Sequence, residues 1–119
     1  MEDTRVIDPS AHERLREWGG DKLLRQMVGL FLENAGARMD MISSGFETGE
    51  ARQVEHGAHS LKSSAANIGA ERVRGLAQHL ETLASEGNME AAREFHEPLR
   101  AAVAEADARL RDMDEGFEE

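Results

Sequence analysis

Residues 50–69 read EARQVEHGAHSLKSSAANIG, and apolar side chains recur along them at alternating intervals of four and three. These apolar positions are Val54, Ala58, Leu61, Ala65 and Ile68. The spacing places all of them on one face of an α-helix, because a helix turns once in about 3.6 residues. Gly69 follows the run and is the residue type that most readily ends a helix in the left-handed conformation. The stretch therefore predicts an amphipathic helix over residues 50–68 with one buried face.

The same periodicity and punctuation divide the rest of the chain into helices, so the predicted fold class is all-α. The predicted helices cover about residues 8–18, 21 to 45–49, 50–68, 71–86 and 88–113. Pro98 lies inside the last of them and predicts a kink or an irregular first half. Loops this short join antiparallel neighbours, which gives an up-down-up-down four-helix bundle with a short extra N-terminal helix.

The length of 119 residues fits one domain, with an ordered core over about residues 8–113 and a frayed acidic C-terminal tail. The net charge of −10 argues against a nucleic-acid partner and against an anionic membrane surface. Cysteine is absent, and the acidic N-terminus MEDTRVIDPS does not fit a secretory signal. We therefore expect a cytoplasmic protein that is a monomer.

His59 is expected to point to solvent, because it lies roughly 140° around the helix from the centre of the apolar face. Lys62 follows one turn later, close enough to bring its ammonium near the imidazole. Ser63 and Ala66 on the same face are small, and they leave room for another macromolecule to approach. The remaining residues of this candidate docking surface are Arg52, Glu55 and His56.

An exposed imidazole beside a cation suits phosphoryl transfer. A neutral histidine offers a nucleophilic ring nitrogen near neutral pH, and an adjacent ammonium would stabilise a phosphoryl group on that ring. In-line phosphoryl transfer depends mainly on positioning and charge neutralisation, so a separate acid–base pair is not required. Lysine is rare in this chain, which has two lysines and twelve arginines, and it binds phosphate as a compact charge.

The run AHSLKSSAANIGAERV, residues 58–73, resembles the histidine-containing phosphotransfer (HPt) domains of phosphorelays. The family pattern is His-x-Leu-Lys-Gly-small-small with a glycine a few residues later. The residues that fit it are His59, Leu61, Lys62, Ser64, Ala65 and Gly69. Ser63 stands where the family most often has glycine, and it is small enough to preserve the approach to His59.

The resemblance implies a stand-alone phosphorelay intermediate that is not an enzyme in its own right. His59 would accept a phosphoryl group from a receiver-domain aspartate and pass it to another. Lys62 would hold the phosphate oxygens, with Ser63 as a further phosphate contact. The partners would be response-regulator receiver domains or a hybrid sensor kinase. No cofactor would be expected on this chain, and Mg²⁺ would belong to the receiver.

Three other functional classes are alternatives to phosphoryl transfer. A surface metal site could be built from His56, His59 and Glu55, but the sequence lacks the Glu-x-x-His and His-Glu-x-x-His motifs of metal-binding bundles and zinc hydrolases. A helical adaptor that has lost phosphorylation is opposed by the intact pair of His59 and Lys62. An ATP-dependent kinase is disfavoured because no glycine-rich nucleotide loop is present.

The remaining distinctive side chains are predicted to be structural. Trp18 is expected to cover one end of the bundle. His12, His79 and His96 are expected on the surface. Several methionines are expected to fill the core or its edge, namely Met27, Met39, Met41 and Met113.

Overall fold

The computed structural model describes residues 5–116, with side chains described for residues 5–113. The helices are α1 (Pro9–Thr48), α2 (Ala51–Ile68), α3 (Glu71–Ser85), α4 (Met89–Arg93) and α5 (His96–Gly116). No strand occurs among the described residues, and the predicted all-α fold class is confirmed. The predicted frayed tail begins with helical residues up to Gly116, and its last part, residues 117–119, lies outside the described range.

The two predicted N-terminal helices are continuous except for a kink at Gly19 and Gly20, whose backbone angles are not helical. Gly20 has φ +69°, a conformation that costs glycine little and other residues more. The first part begins at Pro9 and is capped by Asp8, whose carboxylate accepts a hydrogen bond from the Ser10 amide. The prediction that Trp18 covers one end of the bundle is wrong, since this residue lies directly before the kink and is 71% exposed.

The N-terminal segment packs across the end of the bundle where α2 meets α3. The Asp8 amide donates to the Gly69 carbonyl at 2.7 Å, and His12 Nε2 lies 2.8 Å from the Ile68 carbonyl. The prediction of a surface His12 is therefore wrong, since this ring is buried and satisfies a carbonyl at the end of α2. Burial lowers the pKa of His12 below the usual histidine value, and Arg16 adds to this effect while the Ile68 hydrogen bond opposes it.

The core lies between α1, α2, α3 and α5, and the predicted apolar face of α2 lies inside it. The large side chains that are almost fully buried there include Leu24, Ile42, Val54, Leu61, Ile68 and Leu80. Burying one such aliphatic side chain contributes about 1.5–3 kcal/mol. Gly57 allows α2 to approach α1 closely, since a methyl group there would lie 2.8 Å from Ile42 Cγ1. Close contacts of Gly45 with Val54 and of Gly57 with Ile42 show that α1 and α2 run in opposite directions.

The predicted last helix is interrupted, as Pro98 suggested. Asn88 caps the short α4 by accepting a hydrogen bond from the Ala91 amide, and α5 then begins at His96. Pro98 thus lies in the first turn of α5, where a backbone N–H would have no hydrogen-bond acceptor within the helix, so proline is tolerated there. His96 is only partly exposed, because its Nε2 forms a 2.8 Å hydrogen bond with the Ser43 hydroxyl on α1.

None of the described helices is both long enough and apolar enough to cross a membrane.

Candidate functional site

His59 stands on the solvent side of α2 with its side chain 61% exposed. The neighbouring Ala58 and Leu61 are fully buried against α1 and α3, and they fix the rotation of α2 about its axis. Because His59 lies between these two core positions in sequence, the helical geometry turns it outward. The exposure expected from the sequence is observed.

A carboxylate from the neighbouring helix holds the ring in place. Glu81 on α3 places Oε2 at 2.7 Å from His59 Nδ1 and Oε1 at 2.7 Å from Lys62 Nζ. The side chains of Lys62 and Glu81 are 24% and 18% exposed, so the pair is partly withdrawn from water. The Lys62 contact is a close ion pair rather than a well-aligned hydrogen bond, since Oε1 has no partner of hydrogen-bond geometry among the described residues.

The charge on Glu81 is maintained by its two partners. Burial alone would raise the pKa of Glu81, but the contacts with Lys62 and His59 outweigh burial and hold its pKa below the usual value. Glu81 is therefore an ionised acceptor at neutral pH.

This contact determines which ring nitrogen of His59 is free to react. An ionised carboxylate only accepts hydrogen bonds, so Nδ1 must carry the proton that lies between it and Glu81. In the neutral ring the other nitrogen, Nε2, then holds the lone pair. The arrangement presents an exposed nucleophilic nitrogen whose orientation is set by a second helix.

An open groove of about 600 Å³ runs beside the ring between α1 and α2. Arg38 and Met41 of α1 form one wall, and Glu55 and His56 of α2 form the other. A second groove continues along the same helix pair, and it brings Arg52 together with His56 and Met41. The structure thus gathers three of the predicted docking residues on one side of His59.

Ser63 and Ala66 lie on the other side of His59, toward the end of α2, and both are exposed. Beyond them a smaller groove is lined by Ser64 and Asn67 of α2 and by Met27 and Phe31 of α1. The small side chains on α2 leave the approach to His59 open from this direction as well.

Glu81 is the site residue that the sequence reasoning missed. It is 22 residues from His59 and on a different helix, so no local motif connects the two. The available signal was its place next to Leu80 at the edge of the apolar face of α3, which faces α2. No group of three or more His, Asp or Glu residues that could hold a metal ion occurs within the described part of the chain.

Comparison with known proteins gave one family and one solved structure. The family model of the Hpt domain matches residues 26–112. The crystal structure of histidine-containing phosphotransfer protein B (HptB) from Pseudomonas aeruginosa PAO1 is similar, with a TM-score of 0.87. That similarity covers 95% of this chain and 97% of the other at 21% sequence identity, so it supports the fold. No curated protein matches the sequence.

Proposed function

Since this chain belongs to the Hpt domain family, we propose that His59 accepts a phosphoryl group from a receiver-domain aspartate and passes it to the aspartate of another receiver. Hpt domains are phosphotransfer intermediates of two-component signalling rather than kinases. The observation that carries the assignment of His59 is its exposed ring, whose Nδ1 is held by Glu81 at 2.7 Å.

In the first half of the reaction, the lone pair on His59 Nε2 attacks the phosphorus of an aspartyl phosphate. A nitrogen–phosphorus bond forms, and the bond from phosphorus to the aspartate oxygen breaks with its electrons on the departing carboxylate. The Nδ1 proton stays between the ring and Glu81, so no proton has to be removed before the attack. Transfer to the second receiver is the same step in reverse with a different aspartate.

Lys62 would stabilise the phosphoryl oxygens, because it lies one turn from His59 and its ammonium already reaches the same carboxylate as the ring. Rotation of this flexible side chain would move the charge from Glu81 toward the phosphoryl group. Ser63 is exposed on the following position and would offer a hydroxyl donor to the same oxygens.

The receivers would dock over the faces on both sides of His59. Arg52, Glu55 and His56 form the side with the larger grooves, and Ser63 and Ala66 form the open side. A small, transient interface suits a carrier that has to exchange partners. In this proposal the chain acts as a monomer, and the Mg²⁺ belongs to the receiver.

The test is phosphotransfer profiling with phosphorylated receiver domains of the source organism. Label should appear on this protein in an acid-labile, alkali-stable form and should be absent from His59→Gln. His79→Gln is the matched control, because it removes an exposed histidine that lies outside the docking surface and should keep the label. Full labelling of His59→Gln would refute the assignment, while binding of receivers without any label would indicate an adaptor.

A further inference from the structure

The contact between Glu81 and His59 has a consequence for the phosphorylated state, and this consequence rests on the proposed function. After attack by Nε2, both ring nitrogens of His59 are substituted, one by phosphorus and the other by the proton shared with Glu81. The ring then carries a positive charge for as long as Nδ1 keeps that proton. How readily the phosphoryl group leaves depends on this proton.

We propose that Glu81 is a positioning residue that keeps the Nδ1 proton on phosphorylated His59 and so keeps the phosphoryl group ready for transfer. With the proton present, the nitrogen–phosphorus bond breaks with its electron pair on Nε2 and the leaving group is a neutral imidazole. Without the proton, the leaving group is an imidazolate anion, which is far more basic and leaves slowly. In this proposal the phosphohistidine is short-lived and passes its phosphoryl group on readily.

The geometry supports this role through proximity and charge. Oε2 lies 2.7 Å from Nδ1, the length of a charge-assisted hydrogen bond, and the carboxylate is partly withdrawn from water. Such a bond strengthens when the ring becomes cationic, because a charged donor then faces a charged acceptor. In the unphosphorylated protein the contacts with Lys62 and His59 outweigh burial and lower the pKa of Glu81, so the acceptor is ionised at neutral pH before transfer begins.

Other charged groups also face the ring. Lys62 on α2 and Arg38 on α1 disfavour a proton on Nδ1, as a protonated His56 would, while Glu55 on α2 favours it. Among the described residues around the ring, it is Glu81 that forms a hydrogen bond with a ring nitrogen. Movement of Lys62 from Glu81 toward the phosphoryl group would leave the carboxylate with the ring proton as its nearest positive charge.

The experiment measures the lifetime of phosphohistidine without any receiver. The full-length protein is phosphorylated with phosphoramidate, the label on His59 is identified against a His59→Gln blank, and its hydrolysis is followed across a range of pH. Water attacks phosphorus, and the products are inorganic phosphate and the neutral ring. The rate should fall as pH rises and the Nδ1 proton is lost.

Glu81→Gln keeps an oxygen that accepts the hydrogen bond but removes the charge. In this variant we expect the hydrolysis rate to begin to fall at a pH about one unit lower than in wild type. The lifetime of the phosphohistidine at about pH 8 should then increase roughly tenfold. Glu81→Asp, which restores a carboxylate, should recover part of the wild-type profile. Glu47→Gln is the matched control, since it removes an exposed carboxylate of α1 that lies outside the docking surface, and it should leave the profile within about twofold.

The outcomes separate this proposal from the proposed function. A pH profile of Glu81→Gln that coincides with wild type would overturn the role of Glu81 even if receivers phosphorylate His59 normally. A shifted profile together with no labelling by any receiver would support Glu81 and refute the relay. A purely structural role would change the yield of folded protein but not the position of the profile.

Discussion

Replacement of Lys62 by alanine is expected to slow phosphoryl transfer while leaving the bundle folded. Lys62 is the ammonium closest to the reacting ring, and its side chain is only 24% exposed. The substitution removes the charge that would bind the phosphoryl oxygens. It also removes the cation that pairs with Glu81 at 2.7 Å.

The two losses have different magnitudes. A hydrogen bond to a charged group contributes about 1.5–3 kcal/mol, so losing one in the transition state slows transfer by roughly 10- to 150-fold. The loss of the partly buried ion pair is expected to lower the free energy of unfolding by about 1 kcal/mol, near the upper end for exposed pairs. Function should therefore suffer much more than stability.

The assay compares rates of transfer from one phosphorylated receiver to wild type, Lys62→Ala and Lys62→Arg, with denaturant unfolding of each protein. Lys22→Ala is the matched control, because Lys22 is the other lysine of the chain and lies exposed on α1. It should transfer at the wild-type rate. A rate for Lys62→Ala within about twofold of wild type would refute the reasoning, since twofold corresponds to only about 0.4 kcal/mol.

Three further results are expected. Ser63→Gly should transfer normally and Ser63→Arg should block transfer by its bulk, and normal transfer by the arginine variant would show that receivers do not approach over Ser63. Gly57→Ala should lower the free energy of unfolding by about 1–3 kcal/mol, because the new methyl group would meet Ile42 at 2.8 Å. Gly75→Ala, with nothing within 4 Å, should instead stabilise α3 by up to about 1 kcal/mol in the same denaturant titration, and equal effects of the two alanines would contradict the packing argument. Because the pKa of His12 is lowered on folding, the folded state binds fewer protons than the unfolded state, so stability should fall as pH drops below the usual histidine pKa and His12→Gln should reduce this dependence. A dependence unchanged in that variant would exclude His12 as its source.

The helices were predictable because their signals are local. The apolar spacing of α2 and the glycine after it act within a few residues, and the structure ends α2 at Ile68 with Gly69 in the left-handed conformation. The N-terminal segment was less predictable, because its packing depends on contacts with the distant end of α2. The sequence did not indicate that His12 is buried, because its hydrogen-bond partner, the Ile68 carbonyl, is 56 residues away in the chain.

The candidate site also combines residues that could be predicted from local sequence with one that could not. The positions of His59 and Lys62 follow from one helix, because residues three apart share a face whatever the rest of the fold does. The contribution of Glu81 follows from the register between α2 and α3, which the turn at Gly69 and the packing of Leu61 and Leu80 determine together. A carboxylate at that edge position of α3 looks like an ordinary solvated charge until the register is known.

The origin of the carboxylate on a neighbouring helix has a functional advantage. Side chains on α2 that are one turn from His59, such as Lys62 and Glu55, extend beside the ring on the face that a partner has to cover. A carboxylate reaching the ring from α3 contacts Nδ1 and leaves the other nitrogen, Nε2, out of this hydrogen bond. Glu81 can therefore orient the ring, hold its proton and pair with Lys62 while the other ring nitrogen stays available to a receiver. A carboxylate on α2 in front of the ring would hold the same proton and block the approach at the same time.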